Sequence, residues 1–193
     1  MTAPFRIPAE QAPERHRFTV DEIYRMQEAG VIPPDSKFEL LDGEIIEMPA
    51  DGEAHIRYTA ELNKWLVRHL GDDHDIFVQS SLHLDKRSVP EPDFYIADLG
   101  TALEPIDPAR VHLAIEVALS SLGHDLSRKA AKYAENSLVE YWVVDIASRV
   151  THVLRNPEGG IYRQIGRVAF EDELTCLRLA LPPLRIAALP RLP

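Results

Sequence analysis

Three side chains in this sequence have the types and placement for metal-assisted phosphodiester chemistry. Asp93 closes the short acidic run Glu91-Pro92-Asp93, Glu116 sits inside the apolar stretch 111–117, and Lys129 follows on the next expected helix. A carboxylate inside an apolar strand is costly to bury alone, so Glu116 needs a cation, a metal or a proton beside it. A structural salt bridge would meet that need. So would a hard divalent ion shared with Asp93 on a neighbouring strand, and oxygen donors of this kind suit magnesium or manganese rather than zinc. The main-chain carbonyl of Val117 is a candidate third oxygen. Such an ion would stabilise charge on a phosphate and lower the pKa of a water. Lys129 would contact the phosphate or orient that water if it points back at the acidic pair; otherwise it is a solvated helix lysine.

Further candidates are weaker. Gln79 lies within an expected strand, as a ligand for water or substrate or as a polar residue of a sheet face. Glu39 and Glu44 flank the Asp42-Gly43 turn, and either could reach the site across the sheet. His55 opens a helix, and Asp145 ends an apolar strand, where it would cap the next turn or pair with the lysines. Ser120, Ser121 and His124 lack the glycine-flanked elbow of a nucleophilic serine, and no glycine-rich phosphate loop is present.

The elements that must position these groups follow from periodicity and turn signals. Thr19, with Glu22 three positions on, is a capping box for a helix to about residue 28. Residues 38–48 read as a hairpin turning at Asp42-Gly43, because glycine tolerates the positive φ of tight turns. A helix is expected over 54–69, strands over 76–84 and 93–97, and a loop over 98–110. The stretch 111–119 is apolar on both sides except at Glu116, which marks a central strand. A helix over 126–135 and a strand over 139–146 complete a crossover unit in which the two strands run parallel. A last hairpin joins 149–154 to 161–167.

The chain has 193 residues and is 45% apolar, enough for one core without a second domain. A proline-rich arm is expected over 1–17, the folded domain over 18–175, and a proline-rich tail over 176–193 that packs as a strap or in a partner groove. A net charge of −10 argues against a broad DNA-coating surface, though not against a small basic cleft. Cys176 is the single cysteine, so no intrachain disulfide forms, which suits a reducing cytoplasm. No apolar run is long enough to span a membrane.

Taken together, the ordered stretches 38–48, His55, Gln79, Glu91-Pro92-Asp93, Ile115-Glu116-Val117 with Ser120, Asp125 with Lys129 and Tyr133-Ala134, and 140–145 resemble the Uma2 (DUF820) family, within the PD-(D/E)XK nuclease superfamily. The resemblance spans about 18–167. It implies an α/β fold with a restriction-endonuclease-like core, a mixed central sheet flanked by helices. It also implies magnesium at Asp93 and Glu116, hydrolysis of DNA phosphodiesters, and a homodimer. The superfamily lysine would stand two residues after Glu116, where this chain has Ala118, so the resemblance moves that role to Lys129 on the following helix. The competing expectations are a catalytically silent structural or regulatory member of the same fold, and a hydrolase of another nucleic acid or a small phosphate.

Overall fold

A computed structural model describes residues 15–190, apart from positions 34, 49, 51, 104 and 105. Of the arm expected over 1–17, all but 15–17 lies outside the described residues, as does the end of the tail beyond 190. Local signals set the first elements. Helix α1 (Val20–Glu28) starts at Thr19, whose hydroxyl accepts from the Glu22 amide while the Glu22 carboxylate accepts from the Thr19 amide at 2.8 Å. Strands β1 (Phe38–Leu41) and β2 (Glu44–Glu47) turn through Asp42 at φ 51° and Gly43 at φ 75°. Two successive left-handed residues match the twist of paired strands. A side chain at Gly43 would also strike Arg17, with a Cβ 2.8 Å from the arginine's own.

Helix α2 (Glu53–His69) precedes β3 (His74–Val78), β4 (Phe94–Asp98) and β5 (Val111–Ala118). A helical run then passes through a short α3 (Leu122–His124), a π turn (Asp125–Lys129) and α4 (Ala130–Glu135). Strands β6 (Glu140–Asp145), β7 (Val150–Glu158) and β8 (Ile161–Ala169) follow. The six strands from β3 to β8 lie side by side in sequence order. Every neighbouring pair is antiparallel except β5 and β6. That exception is where the helical run crosses over, as parallel pairing demands. The architecture is an α/β fold with a mixed central sheet flanked by helices, consistent with a restriction-endonuclease-like core.

The sheet has two unlike faces, and β5 shows why. Leu113, Ile115 and Val117 point into one buried cluster, with Tyr58, Leu62 and Leu66 of α2. Ala114 and Ala118 point the other way, under Ala130, Tyr133 and Ala134 of α4. Small side chains on that face let the crossover helix approach, and Glu116 sits between the two alanines.

The structure corrects four expected boundaries. The strand expected over 76–84 ends at Val78, because Gln79 takes φ 44° and leaves the sheet. Gln79 is therefore just past the strand, not within it. Asp93 precedes β4 by one residue, and the final hairpin is longer than its core of branched residues indicated. The crossover helix starts at Leu122 rather than 126, so Lys129 lies in mid-run instead of at a helix start.

The tail behaves as a strap. Leu174 and Leu184 pair through their backbones, and Leu179, Leu184, Ile186 and Leu189 are buried against the α2 face of the sheet. Cys176 lies under this strap, where burial and the neighbouring Glu140 carboxylate push its thiol up to about 11. Its reactive thiolate is thus suppressed until pH approaches that value, and the folded protein loses stability as pH rises from 9 toward 11. Iodoacetamide is expected to alkylate native protein at pH 8 far more slowly than urea-unfolded protein, with the gap closing as pH rises; equal rates at pH 8 would refute this. No helix among the described residues is long and apolar enough to cross a membrane.

Candidate active site

Strand register brings the two central carboxylates together. Phe94 pairs with Ile115 in the antiparallel β4–β5 ladder, so Asp93 falls opposite Glu116 on the same sheet face. The Asp93 carboxylate accepts from the Val117 backbone N–H at 2.7 Å and from His55 Nε2 at 3.0 Å. Both interactions fix its position at the head of β4. The amide of Gln79 donates to the Asp93 backbone carbonyl at 3.0 Å, which places the start of that loop beside the site through main chain.

Lys129 points back at Glu116 and Glu39. Its buried ammonium donates to Glu116 Oε1 at 2.9 Å and lies 3.0 Å from Glu39 Oε2. Tyr133 Oη lies 3.5 Å from the same Glu116 oxygen. Glu39 also accepts from His124 Nε2 at 3.0 Å and, more loosely, from the Glu91 amide at 3.4 Å. The π turn explains how one short segment presents so much. The Ala130 amide bonds back to the Asp125 carbonyl, and this wide turn carries both Asp125 and Lys129, each buried. Turns of this type recur at functional sites. Tyr141 Oη bonds the Asp125 carbonyl at 3.3 Å, and Ser121 Oγ donates to the Asp125 carboxylate at 2.6 Å.

The electrostatics are unbalanced. Burial pushes the Glu116 carboxyl well above the ordinary carboxylate range; Lys129 opposes that rise, and Asp125 and Asp93 add to it. Burial works against the Lys129 charge, but Glu116, Glu39 and Asp125 outweigh it and raise its pKa. Lys129 is therefore a firm cation. Burial likewise raises Asp125. Burial would raise Glu39 as well, but His124 and Lys129 prevail and hold it below the ordinary range. One ammonium thus faces three buried carboxylates, with Asp93 alongside.

Several expectations change. Of the glutamates flanking the turn, Glu39 reaches Lys129, whereas Glu44 pairs with Arg128 and Arg17 at the surface. Lys132, one turn from Lys129, turns away to Asp42, Asp85 and Glu135. Asp145 caps the Ser148 amide and does not pair with the lysines. His55 is more than a helix opener, because it holds Asp93. For Val117 the group engaged with Asp93 is its N–H. Sequence reasoning missed the Glu39–His124 bond, and no local signal marks it. Asp125 did carry one, four residues before Lys129 on the same run.

Ala118 is fully buried in the cluster under the crossover helix, with Leu122 and Leu126 packed against that cluster. The buried cation beside Glu116 comes instead from the helix above, as Lys129. Among the described residues, three metal-ligating side chains gather within 4.8 Å at His74, Asp98 and His112, away from this site. Asp93 and Glu116 are hard oxygen donors, and the Glu116 bonds to Lys129 and Tyr133 both fall on Oε1. The pair could hold an oxygen-preferring divalent cation.

Comparison with known proteins agrees with this architecture. A solved structure from Anabaena variabilis, described as "a putative nuclease belonging to DUF820", superimposes with a TM-score of 0.65 at 13% identity, covering 89% of this chain and 97% of that one. At that identity the likeness speaks to fold. No curated protein matches the chain. The Uma2 sequence profile, described as "Putative restriction endonuclease", matches residues 20–187. With most of the chain matched and the nuclease-like fold in place, this protein belongs to the Uma2 family.

Proposed function

We propose that the chain is a metal-dependent endodeoxyribonuclease, with Asp93 and Glu116 holding Mg2+ or Mn2+ and Lys129 as the catalytic cation. The observation that carries this reading is the buried Lys129 ammonium at 2.9 Å from Glu116, which itself lies opposite Asp93 across the sheet. The ion, when bound, would supply Lewis-acid stabilisation of the phosphate and a water of lowered pKa. Asp93 is held for ligation by His55 and the Val117 amide. Val117's carbonyl and Gln79 stay in the proposal as a further oxygen and a polar contact near Asp93. Lys129 keeps its proton throughout and orients water or steadies a phosphate oxygen, a role its raised pKa suits. Glu39, itself bonded by His124, holds that ammonium in place from the hairpin side. A homodimer in the cytoplasm, cutting both strands of DNA, belongs to the same proposal.

The test is cleavage of supercoiled plasmid, linear duplex and single-stranded DNA with Mg2+ or Mn2+. Wild-type protein is expected to nick or linearise plasmid, and Glu116→Gln to lose at least 100-fold, in line with removal of a transition-state electrostatic group worth roughly 10²–10³ in rate. Equal activity in the two proteins would sink the assignment. Wild-type protein that cleaves no DNA form with either metal would favour a silent member of the family.

A further inference from the structure

The ladder between β4 and β5 slips by one residue near its far end. Ile96 pairs with Leu113 but Ala97 pairs with Val111, so His112 is the unmatched residue of a bulge. Bulges re-aim side chains, and they recur beside functional sites. Here the bulge brings His112 to Asp98 at the end of β4, with Nε2 2.7 Å from Oδ1. Asp98 in turn pairs with His74 at the start of β3. The two imidazoles meet edge to face with centroids 5.1 Å apart. Three adjacent strands therefore deliver two histidines and one aspartate to one spot, each offering an atom within 4.8 Å of the others.

Two details favour an ion here over a plain hydrogen-bonded pair. Nδ1 of His74 and Nδ1 of His112 are both buried without a hydrogen-bond partner, an arrangement that leaves ring nitrogens desolvated for no return. The second Asp98 oxygen, Oδ2, is held by Arg110 Nε at 3.2 Å, while the Arg110 guanidinium also reaches the Leu99 carbonyl. The Arg110 bond to Oδ2 steadies the carboxylate, as outer hydrogen bonds do for metal ligands, and an ion would take the place of the His112 hydrogen bond on Oδ1. The Arg110 charge works against a cation, but its side chain is 40% exposed and well solvated. The three ligating atoms lie within 4.8 Å of one another, and the side chains would rotate to bring them to the spacing of a tetrahedral site.

We propose that His74, Asp98 and His112 bind one zinc-class divalent ion, with solvent in the fourth position. Nitrogen and carboxylate donors in this ratio match three-ligand zinc sites and differ from the all-oxygen pair at Asp93 and Glu116. The two sites lie at opposite ends of β4, roughly 16 Å apart at ~3.3 Å per residue. The ion would pin the edge strand β3 to β4 and β5, and so hold the strand whose other end leads into Gln79.

Metal-stripped protein titrated with Zn2+ against a chromogenic chelator tests this. One zinc per chain is expected, with a Tm rise of about 5–10 °C at a hundredfold excess over Kd. The His74→Ala/His112→Ala variant should lose both effects, and Asp93→Ala should keep them. No zinc uptake by wild type, or uptake unchanged in the double variant, would overturn the proposal. Should that variant fail to fold, Co2+ in wild-type protein decides: the blue spectrum of a four-coordinate, nitrogen-ligated ion supports the site, and a pink six-coordinate spectrum refutes it.

Discussion

Replacing Lys129 with methionine is expected to lower the unfolding free energy by about 3–5 kcal/mol, the range for removing one partner of a buried ion pair. The methylene stem is retained, so the loss is electrostatic. Glu116, Glu39 and Asp125 would remain buried with no ammonium between them. Urea denaturation followed by circular dichroism measures the effect. A second change, Glu116→Leu in the Lys129→Met background, should recover much of the loss, because an apolar pair of similar volume often matches a buried salt bridge. A loss below about 1 kcal/mol in the single variant would mean that Lys129 is better solvated than its burial implies. The same variants separate stability from chemistry: the stabilised double variant should still cleave no DNA.

Glu140→Ala is expected to cost a similar amount, about 3–5 kcal/mol, through a different part of the molecule. Glu140 is fully buried and serves five donors. Its Oε1 accepts from Trp142 Nε1 at 2.7 Å and from Arg155 at 2.9 and 2.7 Å. Its Oε2 accepts from the Leu177 amide at 2.6 Å and from Cys176 Sγ at 3.3 Å. Alanine would leave the Arg155 charge without its carboxylate and untie the C-terminal strap from the sheet. Limited proteolysis should then cut within 171–185 under conditions that leave wild type whole. Resistance equal to wild type would show that the apolar contacts of the strap suffice. Glu140→Gln, which keeps the shape and loses the charge, should fall between.

Features written in short stretches of sequence were legible. The Thr19–Glu22 capping box, the Asp42-Gly43 turn and the two-sided apolar run around Glu116 each act within a few residues, and each appears as expected. The central strand and its parallel partner were legible from their order and spacing, while the contact of Lys129 with Glu116 was one of two readings left open by the residues and favoured by the family resemblance. The rest depends on distant contacts. Gln79 leaves its strand through a left-handed backbone that its flanking apolar residues conceal. His55 meets Asp93 across 38 positions, and nothing near either residue marks the bond. Lys132 has the same type and helical setting as Lys129, yet a surface carboxylate takes it. A π turn has no composition of its own, so the helix start was misplaced by four residues.

The Glu39 contact carries a consequence for how the molecule comes into being. Lys129 and Glu116 are 13 residues apart, and Asp93 and Val117 are 24, but Glu39 and His124 are 85. Closing the longest of these loops carries the largest entropy cost, so contacts of that span tend to slow folding. During synthesis from the N-terminus, the β1 hairpin emerges long before the crossover helix it must meet. The acidic hairpin and its lysine therefore join only when about two thirds of the chain has been made. A nascent or clipped fragment that stops short of Lys129 holds these carboxylates without their cation.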